Sequence, residues 1–140
     1  MLIKTLVVGL IQTNCYIVTD EKTLECAVID PGAESNAILQ YLELNKLHCR
    51  AILLTHGHFD HTMAVENVYA RTGAPVYMNK KDLEQEIGNG RWHFSPPEDT
   101  HFVEEGDEIR VGPLCFHVLA CPGHTPGGLT YRCENCLFTG

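Results

Sequence analysis

The sequence predicts an α/β or α+β fold built on layered sheets. Two observations predict it. Strand-length apolar runs dominate the early and late parts of the chain, and stretches with helical spacing lie between them. Turn-forming Gly and Pro punctuate the boundaries. The 140 residues are one domain's worth of chain, enough to bury a core, and read as a single domain over 1–140.

Residues 2–9 and 13–20 read as two strands joined by a turn around Ile11-Gln12. Residues Glu25 to Ile29 form a third, ended by Asp30-Pro31-Gly32, because Pro fixes φ and Gly tolerates the turn. Ser35 to Lys46 carries Ile38, Leu39, Leu42 and Leu44 at helical spacing, with Ser35 as N-cap. Arg50 to Leu54 is a short aliphatic strand. A helix runs from about Asp60 to Arg71, Gly73 terminates it, and Ala74 to Met78 is another strand. Lys80 to Ile87 reads as a short polar helix, broken by Gly88-Asn89-Gly90. Residues 91–100 read as a loop whose Trp92, His93, Phe94 and Pro96-Pro97 either line a substrate mouth or cover a sheet edge. Asp107 to Val111 and Leu114 to Leu119 pair around Gly112-Pro113 as a hairpin. Leu129 to Arg132 and Leu137 to Thr139 form a last pair of strands.

Composition narrows the function. A net charge of −8 and a pI of about 5.4 argue against nucleic acid as a partner, since phosphate binding is driven by Lys and Arg. The apolar stretches are too short to span a bilayer, and the N-terminus lacks a secretory pattern, so a cytoplasmic protein without membrane contact is expected. Seven cysteines, most within apolar runs, fit reduced thiols in that compartment. Cys133-Glu134-Asn135-Cys136 reads as a β-hairpin turn in preference to a redox pair or half a zinc site, because no second Cys pair exists.

The chemistry concentrates in Leu54-Thr55-His56-Gly57-His58-Phe59-Asp60-His61-Thr62, where an aliphatic strand ends and a helix begins. That edge is where α/β folds collect ligands. Imidazole and carboxylate are donors that zinc and similar ions prefer. His56 and His58 are two apart, so in extended chain they point the same way, while Asp60 and His61 turn toward a neighbouring point. One stretch is therefore able to serve two adjacent metals; the competing reading is a polar loop without metal. A further histidine, His124, stands in the Pro-Gly turn of Cys121-Pro122-Gly123-His124-Thr125-Pro126-Gly127-Gly128. His48, His93, His101 and His117 lack partner motifs and read as ordinary histidines.

Thr-His-Gly-His-Phe-Asp-His resembles the signature of the metallo-β-lactamase superfamily of metal-dependent hydrolases. The Pro-Gly-His-Thr-x-Gly stretch resembles the family's next ligand motif, in the form of the glyoxalase II (hydroxyacylglutathione hydrolase) branch. The likeness extends through Asn14 to Val18 and Val28 to Gly32. It implies an αββα sandwich with metals at the edge between the sheets. It assigns His56, His58 and His124 to a first metal and Asp60 and His61 to a second. Asp60 would also orient the nucleophile and take part in proton transfer, with Asp30 in support and Thr125 and Gly127-Gly128 as turn residues.

The resemblance implies two divalent ions, zinc foremost, with iron or manganese as alternatives. It implies hydrolysis of a small-molecule thioester or related acyl substrate by metal-bound hydroxide. In relatives the last strand continues past the glycine matching Gly140 with an aspartate that bridges the metals, and a later stretch supplies another histidine. The expected fold is accordingly the N-terminal part of the sandwich, lacking the last strands and helix. Weak or absent hydrolysis by the 140-residue chain alone, and self-association through an exposed sheet edge, are expected with it. A mononuclear-iron sulfur dioxygenase, with two histidines and an aspartate on one iron, is the alternative enzyme. An inactive metal-binding or interaction module is the alternative outside enzymes.

Overall fold

The computed structural model describes residues 1–87 and 90–140. The chain runs through β1 (Leu2–Val8), β2 (Thr13–Thr19), β3 (Glu25–Ile29), α1 (Ser35–Leu44), β4 (His48–Leu53), α2 (Phe59–Thr62), α3 (Val65–Thr72) and β5 (Val76–Met78). A 3-10 turn at Lys80–Asp82 leads to β6 (Glu84–Ile87), β7 (Gly90–His93), β8 (Thr100–Phe102), β9 (Glu108–Val111), β10 (Leu114–Ala120), β11 (Leu129–Cys133) and β12 (Cys136–Phe138).

The first sheet has the order β1-β2-β3-β4-β5-β8. Its first three strands are antiparallel, and β3, β4, β5 and β8 are parallel. Parallel neighbours need crossovers, which α1 supplies between β3 and β4, and α2 with α3 between β4 and β5. Strands covered on both faces read as continuous apolar runs, and Ala27–Ile29 and Ala51–Leu53 are such runs, all buried. The second sheet, β12-β11-β10-β9, is antiparallel throughout. A separate hairpin joins β6 to β7.

The layers follow from which residues each face buries. Ile38 and Leu42 of α1 and Val65 and Val68 of α3 pack with Val28, Ile52 and Val76 on one face of the first sheet. On its other face Val18, Ala27, Ile29, Ala51 and Leu53 meet Ile109, Val111, Phe116, Val118 and Tyr131 of the second sheet. Helix, sheet and sheet therefore stack in that order, as expected for the N-terminal part of an αββα sandwich. Among the described residues no helix is long and apolar enough to cross a membrane.

Four local expectations need correction. The helix expected over Lys80 to Ile87 is a 3-10 turn capped by the Asn79 side chain, followed by a strand. Pairing of β6 with β7 overrides the polar helical pattern, and the Gly88-Asn89 part of the expected break lies outside the described residues. The helix expected from Asp60 to Arg71 is split into α2 and α3, because the Ala64 amide leaves the helical ladder to donate to the Pro31 carbonyl at 3.0 Å. Ser35 does not cap α1. The cap is Glu34 in a left-handed conformation (φ 54°), and Ser35 Oγ instead accepts from Asn67 Nδ2. The loop expected over 91–100 contains the end of β7 and the start of β8. By contrast, β11 and β12 form the expected hairpin, with Cys133 opposite Cys136.

Candidate metal centre

The parallel strands β3, β4 and β5 all end at one edge of the first sheet, and the site is built on the loops that leave them. After β3, Asp30 adopts a left-handed φ of 52°. Its fully buried carboxylate faces the loop after β4. Oδ1 accepts the Thr55 amide at 2.8 Å, and Oδ2 accepts the Thr55 hydroxyl at 2.6 Å. Oδ2 also lies 2.8 Å from His61 Nδ1.

These bonds fix a tautomer. The single hydroxyl proton of Thr55 is committed to Asp30, so Thr55 Oγ1 accepts from His56 Nδ1, 3.0 Å away. His56 Nε2 is left with a bare lone pair. That atom is buried and has no hydrogen-bond partner among the described residues. A buried polar atom without a partner is costly unless something absent from the protein itself completes it. His61 is set in the same way: its Nδ1–H donates to Asp30, and its Nε2 lies 3.3 Å from Asp60 Oδ2. Asp60 Oδ2 accepts the Thr13 hydroxyl at 2.8 Å.

His124 comes from the other sheet, on the loop that leaves β10. Its Nε2 lies 3.1 Å from His58 Nδ1. The ligand atoms of His56, His58 and His124 all fall within 4.8 Å of one another, as do those of Asp30, His56 and His61. The five residues singled out in the sequence, His56, His58, Asp60, His61 and His124, are thus gathered at one place.

Sequence reasoning missed the residue that ties the loops together. Asp82 is fully buried, and its Oδ2 accepts the Gly57 amide at 2.9 Å and the Thr125 hydroxyl at 2.7 Å. Oδ1 accepts the Gly127 amide at 2.7 Å. One carboxylate therefore anchors the loop carrying His56 and His58 to the loop carrying His124. Gly57 is glycine because a Cβ there would run into the Asp82 carbonyl oxygen. Trp92 Nε1 donates to the Gly57 carbonyl at 3.0 Å, so the peptides before and after Gly57 each have a side-chain partner. The aromatic stretch of 91–100 hence contributes one support of the site through Trp92, while Phe94 is buried in the core. Asp82 bonds to residues 25, 43 and 45 positions away, and no local pattern announces such contacts.

The electrostatics of His56 and His58 match the donor roles. Burial, reinforced by neighbouring His61, pulls His56 down to about 4 against the opposing pull of Asp30. Burial and then His124 lower His58. Both rings are therefore neutral at pH 7, the form that binds metal. Burial opposes charge on His61, but the hydrogen bond and charge of Asp30 outweigh it and raise its pKa. His56, His61 and His124 line a cavity of about 260 Å³ that also meets Cys121, Leu129 and Thr139.

A sequence profile of the metallo-beta-lactamase superfamily matches residues 8–140. The chain belongs to the metallo-beta-lactamase superfamily. It is 35% identical over 127 residues to the hydroxyacylglutathione hydrolase of Bdellovibrio bacteriovorus, a match covering 89% of this chain and 46% of that one. The crystal structure of BLEG-1 B3 metallo-beta-lactamase is 32% identical with a TM-score of 0.86, covering 99% of this chain and 71% of that one. TTHA1623 in a di-iron-bound form is also 32% identical, with a TM-score of 0.73 and 92% and 66% coverage. The chain spans 63%, 64% and 46% of the length of three curated relatives it matches.

The metallo-beta-lactamase fold implies divalent metals, and the donors at this corner fit them. His56 Nε2 is a buried lone pair in need of a partner. His58 and His124 bring two more ring nitrogens to it, and Asp60 and His61 supply a carboxylate and an imidazole alongside. Nitrogen and oxygen donors of this kind suit zinc, iron or manganese.

Proposed function

We propose that this chain carries the metal centre of a glyoxalase II-like thioester hydrolase, with His56, His58 and His124 holding one divalent ion and Asp60 and His61 contributing to a second. The observation that carries the reading is the unpartnered, buried Nε2 of His56, whose tautomer is fixed by Thr55 and Asp30 and which meets His58 and His124. Bound divalent ions would lower the pKa of coordinated water and polarise a substrate carbonyl. The chain's own residues supply orientation. Asp30 and Thr55 hold His56, Asp30 holds His61, and Asp82 keeps the His58 and His124 loops in register.

Asp60 is the catalytic residue in this reading. Thr13 and His61 both reach Oδ2 and hold the carboxylate where it would take a proton as water attacks the carbonyl. Beside it lies an apolar cleft of about 360 Å³ lined by Leu10, Ile11, Ala33, Phe59 and Met63, which suits an acyl group with apolar character. Three of the seven thiols are buried, which supports a cytoplasmic, reducing setting.

The test is thiol release from a hydroxyacyl-glutathione thioester by protein reconstituted with zinc, iron or manganese. Metal-dependent release that falls at least 100-fold in Asp60→Asn supports the reading. Release unaffected by Asp60→Asn, or failure of zinc, iron and manganese alike to bind the chain, counts against it; weak release by the 140-residue chain is the expectation. Oxygen uptake on a persulfide by the iron form, without thioester cleavage, would replace it with the sulfur-dioxygenase reading.

A further inference from the structure

A second cluster of metal-binding side chains lies on the outward face of the second sheet. Along β10, Leu114, Phe116 and Val118 are buried against the first sheet, so Cys115 and His117 point to the other side. Along β9, Ile109 and Val111 face inward and Glu108 and Arg110 outward. The register places His117 directly opposite Glu108, and Cys115 opposite Arg110. Cys115 and Glu108 are therefore diagonal neighbours on one face, and the three side chains converge. His117 Nδ1 lies 3.2 Å from Glu108 Oε1, and the ligand atoms of Glu108, Cys115 and His117 are all within 4.8 Å of one another.

We propose that Glu108, Cys115 and His117 form a peripheral site for a thiophilic divalent cation such as zinc, distinct from the centre formed by His56, His58 and His124. A thiol, an imidazole and a carboxylate are three donors zinc takes, at about 2.0–2.3 Å from the ion. Ligands at those distances in a tetrahedron are roughly 3.3–3.8 Å apart. Side-chain rotation on a fixed pair of paired strands closes the remaining gap. The backbones of Glu108, Cys115 and His117 are already paired across β9 and β10, so only the side chains remain to be ordered. In the protein alone Arg110 Nη2 lies 3.4 Å from Glu108 Oε2, leaving Oε1 turned toward His117. Binding converts the Cys115 thiol to a thiolate and releases its proton to solvent. The fourth position falls to water, which makes the site exchangeable. The site shares no residue with the candidate metal centre and stands whether or not that centre hydrolyses thioesters.

Cobalt(II) titration of the full, chelator-stripped chain tests the proposal. The expected result is a near-ultraviolet thiolate-to-cobalt charge-transfer band that persists in Cys121→Ser, is lost in Cys115→Ser and weakens at least tenfold in apparent affinity in His117→Gln. No thiolate band at saturating cobalt overturns the proposal. A band unchanged in Cys115→Ser, or lost in Cys121→Ser, also overturns it by assigning the sulfur elsewhere. A second readout needs no variant: zinc is expected to slow alkylation of Cys115 in the unsubstituted protein at least fivefold, located by peptide mapping. Equal alkylation with and without zinc overturns the proposal.

Discussion

The Asp82 carboxylate accepts the Gly57 amide at 2.9 Å while Trp92 donates to the Gly57 carbonyl, so both peptides of the residue that separates His56 from His58 are held. The same carboxylate accepts from Thr125 and Gly127. Replacing Asp82 by Ala would leave three buried donors unpaired. Each such donor costs about 1–3 kcal/mol, so the expected loss is at least about 2 kcal/mol, read by urea unfolding of metal-free protein. Zinc affinity should fall in parallel, because the two loops lose their common anchor. Stability within about 0.5 kcal/mol of the parent would remove Asp82 from this role.

Thr55 sets the tautomer of His56, so Thr55→Val should weaken metal binding about 10- to 100-fold while leaving all five candidate ligands in place. Thr55→Ser keeps the hydroxyl and should restore most of the affinity. Competition against a chromophoric chelator measures both. Equal weakening in the Ser and Val variants would mean that the methyl group, not the hydroxyl, matters.

In metal-free protein the site histidines should make stability depend on pH on both sides of 6.5. His56 has a folded pKa of about 4, below its ordinary 6.5, so between those values the unfolded chain takes up a proton that the folded protein refuses. Stability is lost as the pH falls through that window, and His58 adds to the loss because its pKa is also lowered. His61 has the opposite sign. Its raised folded pKa favours the folded state below pH 6.5, and that benefit is lost as the pH rises through the folded value. In denaturant melts from pH 4 to 8 with chelator present, His56→Gln should flatten the acid side and His61→Gln the neutral side. An unchanged acid side in His56→Gln would contradict the assignment.

Thiol labelling should separate the cysteines by burial. Cys121 is exposed and should react first with a small maleimide, whereas Cys15, Cys26 and Cys133 are buried and should react only on unfolding. Burial also pushes the Cys15 thiol up and raises Cys133 to about 11, which withholds the reactive thiolate. Mass mapping after brief exposure reads the order directly, and early labelling of Cys15 would show the first sheet to be open.

The parts of this protein legible in its sequence are those encoded locally. His56, His58, Asp60 and His61 lie within a few residues of one another, and the strand before them is a plain aliphatic run. The Cys133–Cys136 turn carries its own signal. What was not legible depends on partners distant in sequence. Asp82 sits in a Lys-Lys-Asp run that reads as solvated helix, and only folding shows it to be fully buried beneath Gly57 and Gly127. The split between α2 and α3 likewise turns on a Pro31 carbonyl that lies far back in the chain. Residues 100–102 become a strand because β5 offers them a parallel edge, not because of their own pattern.

His56 and His58 leave the first sheet, while His124 leaves the second. An ion held by all three is a clasp across the seam of the sandwich, and its release frees the two sheets to part at that corner. Metal affinity and resistance to opening are then one quantity read from two directions. A free zinc concentration 100-fold above the dissociation constant should add about 2.7 kcal/mol to stability, and His124→Ala should forfeit that gain. The same clasp would make ion supply, rather than the sequence alone, set how rigid this edge of the protein is.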